Sequence, residues 1–248
     1  MRARLAGGRF RSLNEALYTC DGQQALEMMQ ADPSLFSQYH QGFASQTAGW
    51  PQQPLALAAR WLAARPEGLV VADFGCGEGQ LATRVKQRVH SFDLVSAAPH
   101  VVACNMAAVP LPDASVDVAV FSLALMGTDY AQFLMEASRV LRHKGWLWIA
   151  EVRSRFAADE QHGADEEAAP SRPAPAGKQR KDGGSQVPQA EDLKPFLRCL
   201  ARLGYALQSL DTSNTMFFVA VLRKLHTAAP GAESIAWPAL KACVYKKR

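Results

Sequence analysis

The segment Leu69-Val-Val-Ala-Asp-Phe-Gly-Cys-Gly-Glu-Gly-Gln-Leu-Ala82 constrains the fold more than any other part of the chain. An apolar run ends at Asp73, glycines follow at 75, 77 and 79, and apolar residues then resume. Strands buried on both faces of a parallel sheet read as such continuous apolar runs. Glycine admits positive φ and leaves room for a ligand to touch backbone. The pattern predicts a strand, a nucleoside-binding loop and a helix over Gln80 to Lys86. The ligand would sit at the carboxyl edge of a parallel sheet, with the Asp73 carboxylate aimed at the same place. A tight turn with no ligand is the alternative. The spacing is not Gly-x-Gly-x-x-Gly and no Lys-Ser or Lys-Thr follows, so dinucleotides and ATP fit less well.

Three further strand ends point to the same ligand. Val89 to Asp93 ends in an acid about twenty residues beyond the loop, where a carboxylate accepts hydrogen bonds from both ribose hydroxyls. Val101 to Met106 brings the Asn105 amide to an adenine edge and Met106 to the ring face. Val116 to Ser122 follows the turn Leu-Pro-Asp-Ala-Ser. Between Asp93 and Val101 there are too few residues for a helical crossover, so that helix is shortened or missing.

Elsewhere, Ser12-Leu-Asn-Glu15 has capping-box spacing and predicts a short helix through Tyr18. A second helix is predicted over Gly22 to Gln30. An irregular helical lid follows over Asp32 to Pro51, anchored by Tyr39, Phe43 and Trp50. Pro54 to Ala64 reads as an amphipathic helix with proline at a tolerated position. Ala131 to Leu141 carries a helical apolar face, and Lys144-Gly145 separates it from a strand at Trp146 to Val152. Helix Glu191 to Leu203 stops at Gly204, before strands near Tyr205 to Leu210 and Thr215 to Leu222. From Ala157 to Ala190 the aliphatic residues give way to Ala, Pro, Gly, Gln, Glu and Lys, the composition of a disordered insertion. It is either a passive linker or an RNA contact through Arg172, Lys178, Arg180 and Lys181. The chain therefore divides into a helical lid at 1–64 and an α/β core at 65–248.

At 248 residues the chain is long enough for one large core. The five cysteines form no Cys-x-x-Cys pair and no histidine stands at zinc spacing, which predicts a reduced, intracellular chain without a metal. Cys76 is either a small filler or a reactive thiol. No apolar run reaches bilayer length, so the chain is expected to be neither secreted nor membrane-spanning. The net charge of +4 permits nucleic-acid binding without demanding it. Basic residues gather at Arg2, Arg4, Arg9 and Arg11, around Arg139, Arg142, His143 and Lys144, on Arg153 and Arg155, and at Lys246 to Arg248. Each cluster reads as a phosphate contact or as a solvated surface.

The strand-end arrangement resembles the class I S-adenosylmethionine-dependent methyltransferases, a Rossmann-like fold with a mostly parallel seven-stranded sheet and helices on both faces. Arg9 to Thr19, Tyr39 to Gln46 with Trp50-Pro51, Val70 to Gly127, Asn214 to Phe218 and the Tyr-Lys-Lys-Arg end are together similar to the nucleomethylin family. That family comprises nucleolar ribosomal-RNA-processing methyltransferases of eukaryotes. The resemblance implies methylation of N1 of one adenine in large-subunit ribosomal RNA, with rRNA or a pre-ribosome as partner, in the nucleus and nucleolus. It implies cofactor contacts at His40, Gly75, Asp93, Asn105, Met106 and Ser122, and assigns no catalytic residue. The family usually has Asp where Asn105 stands and often Cys at Ser122. Asn105 removes a charge, so it bears on cofactor affinity. By itself a histidine among aromatics reads as packing. The resemblance instead sets His40 over the methionyl carboxylate or the ribose.

After the fourth strand, Ser122-Leu-Ala-Leu-Met-Gly127 lacks the Asp/Asn-Pro-Pro-aromatic segment of exocyclic amino methyltransferases, which disfavours N6 and suits an endocyclic nitrogen. Phe43, Trp50 or Phe217 would receive an unstacked base, and Asn214 would bond its edge or simply make a turn. A protein or small-molecule acceptor, or a cofactor-binding adaptor without turnover, are the competing readings.

Overall fold

The apolar runs of the middle of the chain become the centre of a sheet, and the helices before and after them cover it. The computed structural model describes residues 2–157, 190–226 and 234–243. Four helices come first: α1 (Arg2–Thr19), α2 (Gly22–Ala31), α3 (Ser34–Thr47) and α4 (Pro54–Ala63). They are followed by β1 (Val70–Phe74), β2 (Arg88–Asp93), β3 (Val101–Ala103), β4 (Val116–Ser122), α5 (Tyr130–Val140) and β5 (Leu141–Val152). The chain closes with α6 (Lys194–Arg202), β6 (Tyr205–Asp211) and β7 (Phe217–Lys224).

The seven strands run in the order β3-β2-β1-β4-β5-β7-β6, parallel except for antiparallel β7. β1 and β4 sit at the middle, which is why Val71, Ala72, Phe74, Val118, Val120 and Phe121 are wholly buried. One face packs against α5 and α6 through Phe133, Leu134, Phe196 and Leu200. The other packs against α4 through Ala58 and Leu62, together with Trp148 and Val221. Helices α1 to α3 share a separate apolar cluster of Leu13, Leu17, Ala25, Met29 and Phe36, against which Leu94 and Met126 pack. The expected Rossmann-like architecture and its seven strands are therefore present. The expected insertion at 157–190 lies outside the described residues except at its ends, as does the Tyr-Lys-Lys-Arg end.

Local structure departs from expectation in four places. α1 begins at Arg2 rather than Ser12, because Phe10, Leu13 and Leu17 form one buried stripe that extends the helix upstream. The capping box lies instead at α2: Asp21 Oδ1 accepts the Gln24 N–H at 2.8 Å and Gln24 Oε1 accepts the Asp21 N–H at 3.1 Å. Asp21→Ala should lower unfolding stability by about 1 kcal/mol in a denaturant titration. After β1 the expected helix over Gln80 to Lys86 is a series of turns. Gly79 takes φ +71° and the Thr83 hydroxyl donates to the Gln80 carbonyl at 2.9 Å, local alternatives to a helix. β3 stops at Ala103, so Asn105 and Met106 lie in the turn beyond it. β5 starts at Leu141, and a bulge takes up Lys144 at φ +61° where a connection between helix and strand was expected. The missing crossover helix between β2 and β3 is borne out. No disulfide joins the described cysteines, and no described helix is long and apolar enough to cross a membrane.

Candidate active site

The carboxyl ends of β1, β2 and β4 open into a cavity of about 480 Å³, roofed by α1, α2 and α3. This lies within the range of small-ligand sites. His40, Gly75, Asp93, Asn105, Met106 and Ser122 all line it. Sequence separations of up to 82 residues, from His40 to Ser122, thus collapse onto one surface.

Asp93 ends β2 with its carboxylate fixed. Oδ2 accepts the Gly77 N–H at 2.6 Å and Oδ1 accepts the Leu94 N–H at 2.7 Å. A carboxylate has about four lone-pair sites, so one on each oxygen stays available, the number that a ribose diol needs. Burial pushes its pKa up to about 6, against the two backbone hydrogen bonds that lower it. Asp73, 1% exposed at the end of β1, is pushed up to about 7 by burial and then by the charge of Asp93. Its Oδ2 has no hydrogen-bond partner. Two carboxylates that repel each other, Asp73 buried with an orphaned oxygen and Asp93 half-buried, make a wall suited to a cation.

The glycine loop is held to β2 by Gly75 and Cys76 N–H groups, which share the Phe92 carbonyl at 2.9 and 3.0 Å. Gly77 has φ +59°, and a Cβ there would stand 2.9 Å from His40 Cε1, so the His40 ring lies directly on the loop. Phe36 packs on that ring at 4.2 Å between centroids, and burial keeps its pKa below the ordinary value, which favours the neutral imidazole. Cys76 is no activated thiol: burial and the nearby Asp73 and Asp93 carboxylates drive its pKa far up. Asn105 Oδ1 already accepts the Ala107 N–H at 2.9 Å. Its amide nitrogen makes no hydrogen bond among the described residues, so the group it offers the cavity is mainly a donor. Gly22 presses on it, since a Cβ there would meet Oδ1 at 2.7 Å.

At the end of β4, Leu123 has φ +61° and Ala124 meets the loop, 2.5 Å from where a Cβ on Gly75 would stand. This stretch is braced from behind by a buried pair. Glu151 Oε1 accepts the Leu125 N–H at 2.7 Å and Oε2 accepts from Arg155 Nη1 at 2.9 Å. Arg155 Nη2 donates to the Leu125 carbonyl at 2.6 Å, and its guanidinium lies 4.7 Å from the Tyr18 ring of α1. The expectation that Arg153 and Arg155 form a phosphate contact or a solvated surface is therefore corrected: both are buried, and they hold the fold. Arg139 is likewise committed, to Glu136 and Asp113.

Of the residues considered for an incoming base, Phe43 lines the cavity. Phe217 is wholly buried and stacks on Trp50 at 5.7 Å, and the Asn214 side chain accepts the Met216 N–H at 2.8 Å as a turn residue. Sequence reasoning missed Gly22, Phe36, Thr47, Gln53 and Phe133 as parts of the wall. The one signal for Gly22 was the capping box that starts α2.

Residues 1–166 match a family model described as a hypothetical methyltransferase. Over the whole chain, 42% of residues are identical to ribosomal RNA-processing protein 8 of Arabidopsis thaliana, of which the chain spans 77%. Identity is 36% to the 25S rRNA (adenine(645)-N(1))-methyltransferase of Schizosaccharomyces pombe, of which it spans 71%. The chain spans 47% of the mouse ribosomal RNA-processing protein 8, at 40% identity. Among solved structures, the Burkholderia thailandensis 1,6-didemethyltoxoflavin-N1-methyltransferase superposes with a TM-score of 0.52, over 78% of this chain and 87% of that one, at 20% identity. That likeness establishes the fold alone. With a matching family model and relatives aligned over the whole of this chain, the chain belongs to the ribosomal RNA-processing protein 8 family of S-adenosylmethionine-dependent methyltransferases.

Proposed function

We propose that this chain transfers the methyl group of S-adenosylmethionine to N1 of an adenine in large-subunit ribosomal RNA. It would do so on rRNA or a pre-ribosome in the nucleolus. One observation carries the choice of atom: the end of β4 lines the cavity with Ser122, Leu123, Ala124, Met126 and Gly127, none of them a base. Adenine N1 bears a lone pair at neutral pH and needs none. The name of the fission-yeast relative supports the same atom.

The cavity fits the cofactor. A sulfonium and an ammonium would answer the two carboxylates, and the free lone pairs of Asp93 the ribose hydroxyls. Bound there, S-adenosylmethionine supplies an electrophilic methyl carbon on a good leaving group. The chain's part is positioning, which lowers a barrier by several kcal/mol when reacting atoms are held about 3 Å apart and in line. Asp93 fixes the sugar, Met106 and Phe133 line the adenine end, and Asn105 donates to the ring edge. His40 and Phe36 close the glycine loop from above and exclude water. We read residues 1–64 as the lid and 65–248 as the catalytic core, with α4 of the lid segment already seated on the sheet.

Incubation of the purified chain with labelled S-adenosylmethionine and unmodified large-subunit rRNA, followed by nucleoside mass spectrometry, tests this. N1-methyladenosine is expected. Cofactor binding with no transfer to rRNA or pre-ribosomal particles would instead indicate an adaptor, and transfer to another nucleoside would correct the atom.

In Gly77→Ala the new Cβ meets His40 at a positive φ, so cofactor Kd in calorimetry should rise about tenfold, a loss of about 1.4 kcal/mol. Asp73 and Asp93 are raised to about 7 and 6, above the unfolded carboxylate range near 4. The folded chain thus binds more protons, and without cofactor its stability rises as pH falls from about 7 towards 4. Cofactor affinity runs the other way, because protonation removes the charge that faces the cation. Melting curves between about pH 5 and 8 should show a cofactor-induced Tm shift that shrinks below about pH 6. A shift undiminished at pH 5 would remove the acidic wall from cofactor binding.

A further inference from the structure

Two arginines lie together on the sheet edge away from the cavity. Trp146 on β5 is in register with Arg223 on β7, four residues before Ala150, the partner of Ser122 at the cavity. At about 3.3 Å per residue, this is roughly 13 Å down the sheet from the cavity wall. Arg65, just beyond α4, lays its guanidinium 3.3 Å from the centre of the Trp61 ring and 5.2 Å from that of Trp146. Arg223 covers Trp146 from 4.1 Å, and the two indoles meet edge to face at 5.7 Å. All four side chains are partly exposed.

The charges are unusual in lacking an acid. Nearby, Lys86 pairs with Glu67 and Arg142 with Asp117. Neither Arg65 nor Arg223 has a carboxylate partner among the described residues, and Arg65 is pulled below its ordinary pKa by burial and then by Arg223. Like charges held against indoles rather than against an acid leave an unmet demand for an anion. Stacking fixes the guanidinium planes and frees their edges. Arg65 spends one N–H on the Trp61 carbonyl at 2.6 Å, and the remaining donors suit the fork geometry of a phosphate. Lys144, exposed in the β5 bulge, extends the positive surface.

We infer that Arg65 and Arg223, braced on Trp61 and Trp146, form a second RNA-binding site that holds a phosphodiester away from the nucleotide being methylated. The inference rests on the rRNA reading above. The half-exposed indoles also offer a face on which an unpaired base can stack. A site so far from the cavity favours a structured RNA that wraps the sheet edge over a short oligonucleotide carrying only the target adenine.

The test compares the wild-type chain with an Arg65→Gln/Arg223→Gln double variant and with Arg198→Gln/Arg202→Gln, which removes equal charge from exposed positions of α6 on the other face of the sheet. Binding to a large-subunit rRNA fragment is measured across a salt series, alongside methyl-transfer kinetics and cofactor binding. In Arg65→Gln/Arg223→Gln the slope of log affinity against log salt should flatten by about 1 to 2, and KM for RNA should rise about tenfold. Its kcat and cofactor affinity should stay at wild type, showing an intact fold. A slope and KM equal to wild type, or matched by the α6 variant, would overturn the site. Should the wild-type chain bind RNA without methylating it, the substrate reading falls and the slope comparison still decides the site. Should it bind no RNA, both fall.

Discussion

Arg155→Ala is expected to destabilise the fold by about 3–5 kcal/mol, the usual cost of stripping one partner from a buried ion pair. Both members are 1% exposed, so Glu151 would be left charged, without water and with a vacant lone pair beside Leu125. The loss is not confined to one pair, because Arg155 also donates to the Leu125 and Lys241 carbonyls and lies under Tyr18. Chemical denaturation measures it. A loss under about 1 kcal/mol would mean that water replaces the guanidinium and that the pair is no brace. Glu151→Gln is the informative companion, since its amide oxygen can still accept from Leu125. It should fold better than Arg155→Ala and keep cofactor affinity.

Asp93→Ala should abolish measurable methyl transfer at ordinary cofactor concentrations. Losing two charged hydrogen bonds to the ribose is worth about 3 kcal/mol or more, roughly a hundredfold or greater in Kd. The substitution also frees the Gly77 and Leu94 N–H groups that the carboxylate holds, so the glycine loop loses its anchor. Asp93→Asn separates the two effects. It retains an acceptor oxygen but no charge, and its affinity should fall between wild type and alanine. Calorimetry with S-adenosylmethionine reads both variants, and wild-type affinity in Asp93→Ala would place the ribose elsewhere.

The sequence made the sheet legible because its central strands are buried on both faces and leave little freedom of composition. Asp93 and Gly75 were legible because strand ends and glycine loops have local signatures. The lid was less so. Helix α1 was misjudged since a correct capping spacing at Ser12 falls in the middle of a longer apolar stripe. Gly22, Thr47 and Gln53 reach the cavity only through the packing of α1 to α4, which no local pattern encodes. The basic residues were misread for a similar reason. A charged residue in a string gives no sign of whether it turns inward onto a buried acid, as Arg155 does onto Glu151, or has no carboxylate partner among the described residues, as for Arg65 and Arg223.

The last described segment, residues 234–243, carries a consequence for synthesis. The Tyr130 hydroxyl donates to the Pro238 carbonyl at 2.5 Å, the Lys241 N–H donates to the Arg155 carbonyl while Arg155 Nε donates back to the Lys241 carbonyl, and the Asn14 amide reaches the Cys243 carbonyl at 3.0 Å across 229 residues. The first helix is thus latched by residues that follow every strand of the sheet in the chain. A nascent chain that already has its sheet still lacks the clasp over the roof of the cavity. Such distant closures form slowly. Competence to hold the cofactor should therefore arrive late, as a single event, and a cut ahead of residue 234 should leave a folded sheet with an unfastened roof.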